Sequence, residues 1–300
     1  MSIPEGANLQ FSGHETFPLR HGWLTKVATE VCSHPDSNRG LFSDADAIVR
    51  FGVGNNMVKS IRHWARVAKV IDTNDGEWAL TNIGQYLFGE DGQDRYAESF
   101  STTWLVHWFL CSNYEKTTTW YWVFNNITED FFDRDEITQE IFNYCIDRNI
   151  SRASKATIKR DVDCLMRCYV TRGEKGLEDD LESVLGDLNL IQPAFGNSRF
   201  RFRKGDKTSL HDAVFNFALF DYMKRQGEAN TISVEDIVYK AGSPGRVFKL
   251  DEQSAVRRLV NIEDTSNGVF SWSETAGLRQ VALINPPSDP IQLLSPAYGQ

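Results

Sequence analysis

The stretch Ala47–Ile71 reads AIVRFGVGNNMVKSIRHWARVAKVI and contains no acidic residue, although the whole chain has a formal net charge of −9. Gly52 and Gly54 predict a turn between a short helix and a second helix that begins at Asn55 or Asn56. The apolar residues of the second helix recur on one face: Met57, Ile61, Trp64, Ala65 and Ala68. Its basic residues fall on the opposite face: Lys59, Arg62, Arg66 and Lys69. This arrangement is typical of helix-turn-helix DNA-binding proteins, although a solvated surface helix has the same pattern.

The flanking segments predict the remaining elements of a winged helix, namely a preceding helix and a following hairpin. Before it, Pro18 fits the first turn of a helix with Thr16 as its N-cap. After it, Asp75-Gly76 is a turn signal for a hairpin that would form the wing. We therefore predict a winged-helix-like DNA-binding unit over residues 1–92. Its expected DNA contacts are Arg20, Asn55, Lys59, Arg62 and Arg66.

Residues 93–210 form a central region rich in aromatic side chains. Trp104 and Trp108 are four residues apart, which favours a helix packed in the core. The alternative is an exposed platform on which bases stack. We expect a helical core here.

A second basic segment runs from Arg148 to Arg172 and resembles the first. Lys59 and Arg66 correspond to Arg160 and Arg167 at an offset of 101 residues, and the apolar positions match as well. An acidic helix predicted around Glu178–Asp187 shows the same apolar spacing, so only the basic positions support a repeat. The DNA contacts expected from the repeated helix are Lys155, Lys159, Arg160 and Arg167.

The sequence RFRFRK at Arg199–Lys204 alternates strictly, which predicts a strand with arginines on one face and phenylalanines on the other. Arginines on one face of a strand are about 7 Å apart, close to the spacing of phosphates along one DNA strand. Arg199, Arg201 and Arg203 are therefore candidate DNA contacts. They could instead pair with the acidic helix.

Residues 211–300 predict a third winged-helix-like unit, with helices over Leu210–Met223 and Val234–Tyr239, a further helix from Asp251 and a closing hairpin. Its charge is mixed, so it could also bind a partner protein. The predicted fold class is mainly α with small β wings (α+β), with tandem winged-helix or helix-turn-helix-like units around an aromatic helical core.

Motifs of several enzyme classes are missing from the sequence. There is no P-loop, no HExxH, no GxSxG and no carboxylate two residues before a lysine, a common end to nuclease sites. The five cysteines contain no CxxC pair and are expected to be buried as small hydrophobic residues. No signal peptide or membrane span is recognisable, so we expect a cytoplasmic protein with no membrane contact.

The best polar cluster is His14-Glu15, which follows Gly13 and precedes Arg20 and His21. A carboxylate and an imidazole on a glycine turn could bind Mg2+ or Mn2+ and orient water for attack on a phosphodiester. His14 and Glu15 are therefore the candidate catalytic residues, with Glu15 as the metal ligand. Alternatively, Glu15 caps the following helix and His14 fills a buried niche. Asp161 and Asp163 lie about 200° apart on a helix and cannot form one site unaided.

Several blocks together resemble the SspB family of bacterial single-strand DNA phosphorothioation systems: Gly13–Phe17, Gly52–Trp64, Thr103–Trp108, Thr119–Asn125 and Ser243–Phe248. The resemblance spans nearly the whole chain. It implies a component that nicks DNA so that sulfur can replace a non-bridging phosphate oxygen, in defence against phage. Expected partners are double-stranded DNA, cysteine desulfurase and sulfur-transfer enzymes. The resemblance itself designates no catalytic residue.

The leading hypothesis is thus an enzyme, a Mg2+- or Mn2+-dependent DNA nickase that grips duplex DNA through winged-helix units. A non-catalytic winged-helix module that recruits modification enzymes needs only the basic helices. A transcriptional regulator of the same gene cluster is a third possibility, and it would favour a palindromic site and a symmetric dimer.

Overall fold

The computed structural model describes residues 3–34, 38–43, 46–150, 153–170, 183–196, 198–227 and 229–299. Over these ranges the chain is mainly α-helical, with three small antiparallel sheets. The predicted α+β class is confirmed. No helix in these ranges is both long enough and apolar enough to span a membrane.

The elements follow one another in three runs along the chain. The first contains α1 (Trp23–Ser33), α2 (Ala47–Phe51), α3 (Asn55–Val67), β1 (Ile71–Asn74), β2 (Glu77–Leu80) and α4 (Asn82–Phe88). The second contains α5 (Phe100–Cys111), α6 (Thr118–Asn126), α7 (Arg134–Asp147), α8 (Lys155–Tyr169), a 3-10 turn (Val184–Leu188), β3 (Ile191–Ala194) and β4 (Arg199–Phe202). The third contains α9 (Asp212–Gln226), β5 (Thr231–Ser233), α10 (Val234–Tyr239), α11 (Pro244–Val247), α12 (Glu252–Val260), α13 (Ile262–Thr265), β6 (Phe270–Thr275), β7 (Leu278–Leu283) and a 3-10 segment (Pro290–Ala297).

The hairpin and the strand expected from the sequence in the first two runs are both present. β1 pairs antiparallel with β2 through Asp75 and Gly76, whose φ angles of +49° and +84° belong to a two-residue turn with both residues left-handed. β4 pairs with β3. Its Phe200 and Phe202 are buried and Arg201 is exposed, as strict alternation predicts.

The centre of the molecule is an apolar core around α5. Every residue of this helix from Ser101 to Cys111 is buried, and Trp104 and Trp108 are fully enclosed. These tryptophans therefore pack the core and are not an exposed platform for bases. One cluster of buried apolar side chains extends from Ile3 to Leu294, so all three predicted units contribute to it.

The beginning of the first helix differs from the sequence prediction. α1 begins at Trp23, with Gly22 as its N-cap, and not at Pro18. The residues before Pro18 cannot enter a helix because Glu15 and Thr16 have φ angles of +47° and +65°. The chain forms turns there instead.

The predicted acidic helix cannot be compared over most of its length. Residues 171–182, which include Arg172, lie outside the described residues, as does Arg152. The part that is described, Val184–Leu188, is a 3-10 turn.

In the third run the sheet has the strand order β5-β7-β6. α9 precedes this sheet along the chain, and α10 to α13 lie between β5 and β6. α9 also contacts the C-terminal 3-10 segment.

Candidate nucleic-acid interface

The segment Gly13–Phe17 lies between α3 and α8. The His14 ring stacks on Trp64 of α3 with 6.0 Å between ring centroids. On the other side, His14 Nε2 lies 2.5 Å from Asp161 Oδ1 of α8. The indole of Trp64 donates to the Phe17 carbonyl at 3.0 Å. This short segment therefore holds together the two helices whose basic residues the sequence analysis had paired.

Both ring nitrogens of His14 are engaged within the protein. The Thr16 backbone N–H donates to Nδ1 at 3.0 Å, so Nε2 carries the proton and donates it to the Asp161 carboxylate. Both side chains are almost completely buried. His14 has no free nitrogen for a metal in this arrangement, and it fixes the position of Asp161.

Glu15 is exposed, and it does not cap α1, whose N-terminus has no side-chain cap. It lines a cleft of about 220 Å3 together with Thr157, Arg160 and Asp161, which we call the carboxylate cleft. Asp163, two residues farther along α8, instead faces Arg134 at 3.4 Å. The two aspartates therefore have different partners, as their angular separation predicts.

A larger cleft of about 520 Å3 adjoins the carboxylate cleft, since Gly13 lines both. We call it the cationic cleft. Its basic lining residues are Lys59, Arg62, Arg66 and Lys116, and its other polar lining residues are Asn8, Gln10, His63 and Glu115. The outer face of α3 therefore forms a concave surface together with the N-terminal segment and the loop between α5 and α6.

Most of the positive charge in the cationic cleft is unpaired. Within the described part of the chain, Lys59, Arg62 and Lys116 form no ion pair. Arg66 reaches Asp72 at 3.4 Å and also lies over the ring of Trp78. Because these cations lack carboxylate partners, the cleft has a positive potential that attracts anions.

His63 projects into this cationic surface as a neutral ring. Burial, together with the neighbouring His14, Arg66, Arg62 and Lys116, lowers its pKa to about 3. Gly13 packs directly against it, since a Cβ at position 13 would lie 2.4 Å from His63 Nδ1. The sequence analysis missed both His63 and Lys116. Periodicity marks the basic face of α3 but does not show which neighbouring loop approaches it.

The cations of the second basic segment are mostly bound within the protein. Lys155 donates to Gln139 at 2.5 Å, Lys159 pairs with Asp135 at 2.8 Å, and Arg167 donates to the Thr16 carbonyl. Arg199 pairs with Glu136 of α7 at 2.9 Å, and most of the predicted acidic helix lies outside the described residues.

Of the remaining predicted contacts, Arg160, Arg201, Arg203 and Asn55 are exposed and Arg20 is half-buried. Arg160, Arg201 and Arg203 form no ion pair with the described residues. Asn55 is exposed at the first turn of α3, and Arg20 lies over the ring of Trp23. The structure therefore brings Lys59, Arg62 and Arg66 together in the cationic cleft and places Arg160 in the carboxylate cleft.

Comparison with known proteins gives a family. The sequence model of DUF4007, described as a protein of unknown function, matches residues 11–298. The chain belongs to the DUF4007 family. No curated protein matches it.

Two solved structures are similar to this DUF4007 protein over nearly the whole chain. The magnesium ion-bound SspB crystal structure has a TM-score of 0.86 and 29% identity, and the match covers 97% of this chain and 88% of that one. A second SspB crystal structure has a TM-score of 0.87 at 29% identity, with 98% and 89% covered. The resemblance to SspB inferred from the sequence blocks is confirmed.

Two of those sequence blocks meet in this DUF4007 fold, because His14 of the first stacks on Trp64 of the second. Among the described residues, no group of three His, Cys, Asp or Glu side chains is arranged to hold a metal ion. All five cysteines are free, and four of them are buried, as small hydrophobic residues would be.

Proposed function

We propose that this protein is a DNA-binding component of a bacterial phosphorothioation system, and that the cationic cleft is its contact with the DNA backbone. The observation that carries the proposal is the group of unpaired cations Lys59, Arg62 and Lys116 in one cleft of a chain with net charge −9. Such a local concentration of charge attracts a polyanion to one surface of an otherwise acidic protein. Similarity to SspB supports the assignment to a system that modifies DNA with sulfur.

The order of elements supports a winged-helix mode of binding. In the first run, three helices are followed by the hairpin β1–β2. In the third, β5, helices and a hairpin follow α9, with the sheet order β5-β7-β6. In winged-helix proteins the last helix before the hairpin enters the major groove. Here that helix would be α3, which exposes Asn55, Lys59 and Arg66.

A specific observation favours nicking activity as a second function. The carboxylates of Glu15 and Asp161 line the same cleft, next to Arg160. Asp161 uses Oδ1 to accept from His14, and its Oδ2 forms no hydrogen bond with the described residues. Magnesium is commonly held by one or two carboxylates and keeps several of its waters, so this donor set fits a hydrated Mg2+ or Mn2+ ion. SspB also has a magnesium-bound form.

In this proposal each residue of the carboxylate cleft has a distinct role. Glu15 and Asp161 would hold the ion, which when bound supplies Lewis-acid activation of water or phosphate. His14 positions Asp161 through its Nε2–H and does not touch the ion. Arg160 would attract the phosphate whose bond is broken.

An assay with supercoiled plasmid distinguishes DNA binding from DNA nicking. Purified protein is incubated with the plasmid in Mg2+, Mn2+ or EDTA, and open-circular DNA and a gel shift are measured. Metal-dependent nicking that is lost in Glu15→Gln and kept in Asp163→Asn supports the enzyme. A gel shift without nicking supports a non-catalytic module that recruits cysteine desulfurase and sulfur-transfer enzymes. If that binding also requires a palindromic site, it supports a transcriptional regulator. Absence of both nicking and binding overturns the proposal.

A further inference from the structure

The cationic cleft concentrates several positive charges in one concave site. Lys59, Arg62 and Lys116 are unpaired among the described residues, Arg66 has only a long ion pair, and Glu115 is the one carboxylate in the lining. An internal phosphodiester carries one negative charge, whereas a phosphate monoester carries about −1.5 to −2 at neutral pH. A terminal phosphate therefore offers the cleft more negative charge on a single group than an internal phosphodiester does.

His63 provides a second, independent indication of a ligand. Its side chain is half-buried at the edge of the cleft, and neither ring nitrogen forms a hydrogen bond with any described residue. A ring N–H with no partner in the described protein is available to an acceptor on a ligand that enters the cleft. The ring borders the cleft, where a ligand oxygen can accept its N–H.

The shape of the cleft is compatible with a terminal phosphate that projects into it. The cleft has a volume of about 520 Å3 and is concave, with Gly13 forming part of its wall. Because Gly13 has no side chain, its backbone approaches His63 closely and leaves the ring beside the cations.

We propose that the cationic cleft binds a terminal phosphate monoester of a DNA strand, with His63 as a hydrogen-bond donor and Lys59, Arg62 and Lys116 as the charge partners. The inference rests on the proposed DNA-binding function and adds to it a preference for a phosphorylated strand end. Such an end occurs at a nick, and the carboxylate cleft adjoins the site across Gly13.

The first test uses duplexes with one nick in EDTA, which prevents metal-dependent cutting. The nick carries a 5′-phosphate, a 3′-phosphate or hydroxyls only, and affinity is measured by fluorescence anisotropy. We expect about tenfold tighter binding to one of the phosphorylated nicks than to the hydroxyl nick, the effect of one good charge-assisted hydrogen bond. Equal affinity for all three nicks would overturn the proposal.

Variants assign the preference to the cleft. His63→Gln and Lys116→Ala should abolish the preference, whereas the control Lys159→Ala should keep it, since Lys159 is paired with Asp135 on another surface. Retention of the preference in both cleft variants would contradict the assignment. Circular dichroism of each variant establishes that it is folded.

Inorganic phosphate tests the cleft without DNA. In the wild type, the His63 ring resonances should shift on titration with phosphate, and Lys116→Ala should weaken the response about tenfold. A response to phosphate in a protein that binds no duplex would refute the proposed function and leave the anion site intact. No response would overturn the anion site itself.

Discussion

His14 and Asp161 are 147 residues apart in the sequence, yet Nε2 of the histidine lies 2.5 Å from Oδ1 of the aspartate in the buried interior. This contact fastens the N-terminal segment to α8, while the same imidazole stacks on Trp64 of α3. The side chain of His14 thus contacts both α3 and α8, the helices that line the two neighbouring clefts, and fixes their relative position.

The first prediction concerns the energy of this contact. Asp161→Ala should lower the free energy of unfolding by about 3 kcal/mol, because it leaves the buried Nε2–H of His14 without an acceptor. Asp163→Ala is the matched control, since it removes a partly exposed pair and should cost less than about 1 kcal/mol. Urea denaturation measures both. If both variants lose the same free energy of unfolding, then the His14–Asp161 bond stabilises the fold no more than the partly exposed Asp163 pair does.

The second prediction concerns the DNA contacts of α3. The double variant Lys59→Ala and Arg62→Ala removes two unpaired cations and should reduce the slope of log K against log salt concentration by about 1.8. Lys155→Ala with Lys159→Ala removes the same charge from α8, but those ammonium groups already bond Gln139 and Asp135. The slope of this control should change much less. Identical slopes in both double variants would exclude a special role for α3.

The third prediction concerns Gly13, which has a φ angle of +120°. Gly13→Ala should destabilise the protein by about 3 kcal/mol, because few residues other than glycine adopt this backbone and the new methyl group meets the His63 ring. Gly6→Ala, at φ +78° with open space around it, should cost only about 1 kcal/mol. Thermal or urea unfolding of both variants separates the cost of the steric contact with His63 from the cost of backbone strain. If both variants lose a similar free energy of unfolding, then the His63 ring moves aside for the new methyl group at little cost.

The fourth prediction concerns acid stability. Burial lowers the pKa of His63 to about 3, so between the unfolded value near 6.5 and pH 3 the unfolded chain binds a proton that the folded chain does not. Stability therefore falls as the pH falls through this window, by about 1–2 kcal/mol for this residue at pH 5. Burial of His107 has the same effect and the same sign, with its pKa also lowered to about 3.

Unfolding in urea at pH 7.5 and pH 5 tests this linkage. In His63→Gln the loss of stability between the two pH values should be smaller than in the wild type by about 1–2 kcal/mol. A His34→Gln control, at a partly exposed surface histidine, should match the wild type. If acidification destabilises His63→Gln as much as the wild type, then His63 is not held neutral by the fold.

Local patterns in the sequence were read correctly where neighbouring residues decide the structure. The Asp75-Gly76 turn, the alternation of Phe200 and Phe202 in β4 and the buried Trp104–Trp108 pair all appear as predicted. The start of α1 was misplaced because Pro18 is compatible with a helix but the positive φ of Glu15 and Thr16 is not visible in the sequence. The role of His14 was open from the sequence, since its partner lies on α8.

By itself, the sequence determined that α3 has one apolar and one basic face, because the 3.6-residue period of a helix is a local property. The tertiary structure decided which basic residues are available to a ligand. Lys159 and Arg199 are neutralised by Asp135 and Glu136 of α7, whereas Lys59 and Arg62 are not paired in the described chain, and Lys116 joins them from a distant loop. Ion pairing depends on distances between residues far apart in sequence, and only packing of the helices fixes those distances.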